Sequence, residues 1–267
     1  MSMPFFRAFD DPGPDFAELL RRDGRWPAFP ATELTVPVAH ATTCVAVRTA
    51  EGVVMAGDRR ATSGNLISHR TMEKVLPADR HSGVAIAGAA GPAMEMVKVF
   101  QLQLEHYEKV EGNPLSLEGK ANQLSQMVRN NLPAAMQGLV VVPIFAGYDL
   151  RRKAGRLFTY DVTGGRYEER DYTATGSGSL HAGTVVKLGF QPDMTSEEAV
   201  DLCIKALFEA ADSDSATGGP DLVRRIYPVV AVIDAEGFRR LDDDELDRRF
   251  RALIERQGTG GVEATPS

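Results

Sequence analysis

The strand-forming and helix-forming stretches of this chain arrive in blocks, and that order limits its fold more than any other feature. Residues 43–48 and 53–57 are β-branched or small apolar runs joined across Glu51-Gly52, the pattern of two paired strands. Residues 59–73 are polar, contain Gly64-Asn65 and read as a loop. Lys74–Leu76 and Gly83–Ala87 give a second strand pair across the 79–82 turn. Two helical patterns follow with no strand between them. The first opens at Gly91 and aligns Met94, Val97, Phe100, Leu104 and Tyr107. The second follows Ser116, carries Leu117, Ala121, Leu124 and Val128 on one face, and kinks or ends at Pro133. Apolar strands return at 139–147 and 156–162, and Thr163-Gly164-Gly165 turns the chain into 166–171. A short helix at 179–189 precedes one that opens on the capping box Thr195-Ser196-Glu197-Glu198. A strand at 226–234 turns at Glu236-Gly237, and a last helix runs from about Asp243 to Arg256. Helices placed between every strand would make a doubly wound parallel sheet, whereas helices in blocks do not. The order suits an α+β fold of two antiparallel sheets, each covered outside by helices, in one domain.

Composition narrows the functional classes. The 267 residues are 43% hydrophobic and 25% charged, ordinary for a globular protein with a substantial core. A net charge of -7 argues against non-specific nucleic-acid binding. No apolar run approaches the roughly 20 residues that span a bilayer. The two cysteines, Cys44 and Cys203, lie in apolar patterns that suit reduced core thiols and a cytoplasmic location. Five scattered histidines offer no zinc-site spacing. Gly176-Ser177-Gly178-Ser179 lacks the ending of a phosphate loop and the full dinucleotide spacing. No metal or cofactor is expected. Residues 1–41 differ from the rest, with clustered prolines, Phe5, Phe6, Phe16 and Trp26, and acids at Asp10, Asp11, Asp15 and Glu18. They have neither the basic start nor the apolar core of a secretory signal. Composition leaves two readings of them open, a disordered tail or a removable propeptide.

The chemistry concentrates at the head of the first strand. A threonine there is an ordinary strand former. It becomes a nucleophile if the chain is cut just before it, because the new α-amine can serve as its base. Such an amine has a reference pKa of about 7.7–8.0, so a sizeable neutral fraction exists near neutral pH. Thr42 and Thr43 both qualify on this ground. Thr42-Thr43, Gly57-Asp58-Arg59-Arg60-Ala61-Thr62, Lys74, Ile86-Ala87-Gly88 and Gly176-Ser177-Gly178-Ser179 together resemble the catalytic β subunit of a 20S proteasome. The stretch from Asp214 to Val223 resembles the actinobacterial form, and the similarity runs from Thr42 to roughly Ile254.

The resemblance implies a four-layer αββα sandwich of the N-terminal-nucleophile hydrolase type and a threonine endopeptidase. It favours Thr42 over Thr43 as the nucleophile, because the spacings to Asp58 and Lys74 fit Thr42. It implies that Lys74 is buried beside the nucleophile and paired with Asp58, where a lysine at a strand start would otherwise read as a surface charge. It implies an oxyanion-hole N–H from Gly88, and a supporting set of Ser177, Asp214 and Thr217. The family more often has serine where Thr217 stands, which leaves the orientation of that hydroxyl open. Ala61, Thr62, Met72, Ile86, Ala90 and Met94 match substrate-binding positions, and the apolar ones among them suggest cleavage after apolar residues. The expected organisation is a propeptide at 1–41, a catalytic domain at 42–257 and a disordered tail at 258–267. Processing between Ala41 and Thr42 departs from the family, which usually has glycine before the nucleophile. Implied partners are proteasome α subunits, other β subunits in seven-membered rings, an ATPase ring, and unfolded or tagged proteins. A shorter dodecameric bacterial relative and a non-catalytic ring scaffold are the alternatives.

Overall fold

The computed structural model describes residues 42–259. Ala41, the rest of the expected propeptide, and the tail from residue 260 lie outside the described residues. The first sheet contains β1 (Thr43–Arg48), β2 (Val53–Gly57), β10 (Tyr172–Gly176), β11 (Val229–Ile233) and β12 (Phe238–Arg240), in the order β10-β1-β2-β11-β12. The second contains β5 (Val75–Asp79), β6 (Ser82–Ala85), β7 (Ile144–Asp149), β8 (Ala154–Tyr160) and β9 (Arg166–Glu169), in sequence order. Every pairing in both sheets is antiparallel.

Side chains on a strand alternate between faces, and here both faces are covered. In β1, Cys44 and Ala46 point to a layer shared with Met55, Ile144, Ala146 and Leu157, between the two sheets. Val45 and Val47 point the other way, against α4 (Ser179–Gly189), α5 (Ser196–Ser213) and α6 (Asp243–Thr259). The outer face of the second sheet, through Val84, Phe145 and Phe158, packs on α1 (Ala90–Glu111) and α2 (Leu117–Asn130). The result is the αββα sandwich. Burial on both faces also explains why β1, β2 and β11 are apolar throughout rather than alternating.

Local signals act where expected. In α1, Ala93, Met96, Val97, Phe100 and Leu104 are buried at helical spacing. Ser116 caps α2 by accepting the Gly119 N–H at 3.1 Å, and Thr195 with Glu198 closes the capping box of α5. Pro133 follows the end of α2, in the first turn of the short α3 (Leu132–Ala135).

Four expectations need correction. Residues 59–73 are not wholly loop, because β3 (Ala61–Ser63) and β4 (Leu66–His69) form a hairpin over Gly64-Asn65. The expected strand at 139–147 begins only at Ile144, since Val141 turns aside to form an isolated bridge with Gly88. Residues 172–176, assigned to no element from the sequence, form the edge strand β10. The last helix continues past Arg256 to Thr259.

Candidate active site

Register brings the predicted residues together at one end of the sandwich. Thr43 pairs with Gly176, Cys44 with Gly57, and Val75 with Ala85, so the start of β1, the exits of β2 and β10, the entry of β5 and the exit of β6 converge. The Ile86 N–H donates to the Lys74 carbonyl at 2.8 Å and the Asp58 N–H to the Thr43 carbonyl at 3.1 Å, which ties these ends to one another.

Asp58 and Lys74 are both 0% exposed. The Lys74 ammonium donates to Asp58 Oδ1 at 2.6 Å and to the Arg60 carbonyl at 2.5 Å. Asp58 Oδ1 also accepts the Thr43 N–H at 2.8 Å, and Oδ2 accepts the N–H groups of Arg60 and Gly218 at 2.9 and 2.8 Å. Burying two charges is costly unless they pair and their remaining hydrogen-bonding capacity is met, and this carboxylate has four donors. A lysine so placed is no surface charge.

The second group surrounds Asp214. Ser177 and Thr217 donate their hydroxyls to Asp214 Oδ2 at 2.5 and 2.6 Å, and the Ala216 N–H donates to Oδ1 at 3.1 Å. Burial pushes the Asp214 carboxyl up, but these hydrogen bonds and the nearby His181 outweigh it, and the net shift is downward. Thr217 is fully buried, and its hydroxyl lies 2.5 Å from that of Thr43. This settles its orientation, which the sequence left open.

Thr42, only 4% exposed, directly precedes Thr43, whose N–H donates to Asp58. The Thr42 carbonyl accepts the Ser177 N–H at 2.8 Å, and the Ser177 hydroxyl is 3.4 Å away. Gly176 makes this approach possible: its φ is +100° and a Cβ there would sit 1.9 Å from the Thr42 oxygen. Thr42 lines a cavity of about 230 Å³ with Ala87, Gly88, Val142 and residues 175–177. Gly88 has φ +104°, and a Cβ on it would meet the Val140 oxygen at 2.1 Å. The neighbouring Ala89 N–H donates to that oxygen at 2.7 Å, so the turned-aside segment before β7 clamps the glycine beside Thr42.

The substrate-binding candidates are more dispersed. Met72, Ile86 and Met94 join one apolar cluster, Ala61 and Thr62 are buried in β3, and Ala90 begins α1. None of the six lines the cavity beside Thr42. Sequence reasoning missed Val142 and Thr175 in its wall, and Gly218, whose amide holds Asp58. Gly218 did lie inside the 214–223 motif, which was a usable signal; Val142 and Thr175 carried none. Larger concavities of about 470 and 860 Å³ lie elsewhere, and neither includes Thr42. Among the described residues no cluster of three or more His, Cys, Asp or Glu could hold a metal, and no helix is long and apolar enough to cross a membrane.

The chain is similar to known proteins over most of its length. The family described as "Proteasome subunit" matches residues 38–223. A "Proteasome subunit beta" of Acidimicrobium ferrooxidans is 61% identical over 249 residues, covering 92% of this chain and 91% of the relative. Another from Streptomyces griseus is 58% identical, covering 86% and 82%, and one from Acidothermus cellulolyticus is 62% identical, covering 78% and 73%. The chain belongs to the proteasome subunit family, among its β subunits.

Proposed function

We propose that this β subunit is a threonine endopeptidase of the 20S proteasome core, made as an inactive precursor and activated by cleavage between Ala41 and Thr42. The observation that carries the reading is the fully buried Lys74–Asp58 ion pair, whose carboxylate holds the N–H of Thr43, the residue after Thr42, while Thr42 itself shares a cavity wall with Gly88. A buried ammonium is expensive to keep, and beside a hydroxyl it stabilises developing negative charge.

In the precursor the Thr42 nitrogen is an amide and has no basic lone pair. The Thr42 hydroxyl adds to the Ala41 carbonyl carbon, the carbon–nitrogen bond breaks, and the departing nitrogen keeps its own proton and takes the one the hydroxyl has lost, becoming a primary amine. Water then hydrolyses the resulting ester, releasing residues 1–41 and leaving nucleophile and base on one residue. In peptide cleavage the α-amine takes the hydroxyl proton, and the oxygen attacks the substrate carbonyl. The Gly88 N–H receives the oxyanion. The amine returns the proton to the leaving nitrogen, and water resolves the acyl-enzyme. Ser177, Asp214 and Thr217 order the amine side of the site. Ala61, Met72, Ile86, Ala90 and Met94, none of which lines the cavity beside Thr42, carry the preference for apolar residues before the cut by family resemblance alone. The subunit works in seven-membered β rings stacked on α rings in the cytoplasm, with an ATPase ring delivering unfolded or tagged proteins.

A threonine-directed covalent inhibitor, followed by peptide mapping, tests this. The label should sit on Thr42 and vanish in Thr42→Ala. An assembled particle that takes no label on this chain would make the subunit a scaffold.

A further inference from the structure

The two side-chain groups that flank Thr42 are not independent, because Thr43 belongs to both. Its N–H donates to Asp58 Oδ1 at 2.8 Å, the oxygen that also receives the Lys74 ammonium. Its hydroxyl accepts the Gly178 N–H at 3.0 Å and touches the Thr217 hydroxyl at 2.5 Å. Proton counting fixes the direction of that last contact. A threonine hydroxyl has one proton, and that of Thr217 goes to the Asp214 carboxylate at 2.6 Å. Thr43 must therefore donate to Thr217. The chain runs one way, from the Gly178 N–H through the Thr43 and Thr217 hydroxyls to Asp214 Oδ2. Thr43 is fully buried, with its hydroxyl engaged as donor and acceptor and its amide held by Asp58, so it is not a second nucleophile.

We propose that Thr43 is a positioning residue of the peptidase reaction, its hydroxyl and amide locking the Lys74–Asp58 pair and the Ser177–Asp214–Thr217 group into one frame around Thr42. This rests on the reading of Thr42 as the nucleophile. Without the Thr43 hydroxyl, the buried Gly178 N–H loses its acceptor and Thr217 loses the donor that orients it. Gly178 adjoins Ser177, whose N–H holds the Thr42 carbonyl, so a shift there moves the nucleophile itself. The frame also fixes the Thr217 hydroxyl, since a hydroxyl with one donor and one acceptor fixed has one orientation.

The test uses the assembled particle with Thr43→Val, which keeps the shape and deletes the hydroxyl, and Thr43→Ser, which keeps the hydroxyl. Active sites are counted by saturating covalent label on Thr42, and kcat and KM are measured per labelled site on a short apolar peptide. Thr43→Val should lower kcat per site roughly tenfold to a hundredfold, the scale of a misplaced reacting group. KM should stay within about twofold, and Thr43→Ser should keep kcat within about twofold of wild type. If Thr43→Val does not assemble, Thr43→Ala removes the same hydroxyl and is read in the same way. The proposal is overturned if kcat per labelled site is unchanged while labelled sites merely become fewer, which would mark a structural role. It is also overturned if Thr43→Ser falls as far as Thr43→Val. A wild-type particle without label on Thr42 would instead overturn the reading of the nucleophile.

Discussion

Replacing Lys74 by methionine keeps most of the unbranched side chain and deletes its charged end. The Asp58 carboxylate would retain three backbone donors, from Thr43, Arg60 and Gly218, but lose its counter-charge at a point 0% exposed to water. Removing one partner of a buried ion pair costs about 3–5 kcal/mol. For a domain of this size that corresponds to roughly 6–20 °C in Tm. Adding Asp58→Asn to Lys74→Met should recover only part of the loss. The amide oxygen can still accept the Arg60 and Gly218 N–H groups, but the amide NH₂ then opposes the Thr43 N–H. Activity should not return in either variant, because losing a preorganised electrostatic partner of the nucleophile costs about 10²–10³ in rate. Thermal unfolding at matched protein concentration, together with the rate of covalent labelling at Thr42, reads both quantities. The reasoning fails if Lys74→Met unfolds and labels like wild type, or if the double variant labels at the wild-type rate.

Other consequences are simpler. Gly88→Ala places a Cβ 2.1 Å from the Val140 oxygen at φ +104°, so peptide cleavage should be lost, and undiminished cleavage would remove Gly88 from the site. The Asp214 carboxyl is held below its unfolded value of about 3.9, so its contribution is fully present above that value and is lost as pH falls through the folded one. Ser177→Ala should therefore flatten the loss of Tm on acidification. The Cys44 thiol is pushed up to about 12, first by burial and further by Asp58, against the pull of Lys74. Folded protein should leave Cys44 unmodified by iodoacetamide near pH 8, and denatured protein should react. Ala41→Gly should mature faster than wild type, because the methyl group narrows the backbone geometries open to the attack, as a time course of precursor cleavage would show.

Much of this was legible in the sequence, for physical reasons that differ by element. Strands 43–48 and 53–57 match the structure because two covered faces leave an unbroken apolar run. The hairpin over Gly64-Asn65 was hidden because all four residues of β4 are exposed and give no burial pattern, although Gly64, at φ +57°, marks its turn. The segment before β7 looked like strand from composition, yet its valines bind the Gly88 loop rather than a neighbouring strand. In the site, the family resemblance pointed to Thr42, Asp58 and Lys74, where residue types alone left Thr42 and Thr43 open and read Lys74 as a surface charge. Neither revealed the donor from Gly218, 160 positions from Asp58, or the hydroxyl chain, whose links from Thr43 to Gly178 and Thr217 span 135 and 174 positions. Such contacts depend on the register of β1 with β10 and on the loop after α5, and no local pattern encodes either.

The central claim is that this chain makes its own nucleophile by cutting before Thr42. Intact mass of the β chain, purified after co-expression with its α partner, tests it most directly. The account predicts the mass of a chain beginning at Thr42, and an uncut precursor for Thr42→Ala. An uncut wild-type chain inside an assembled particle that cleaves peptides would contradict it.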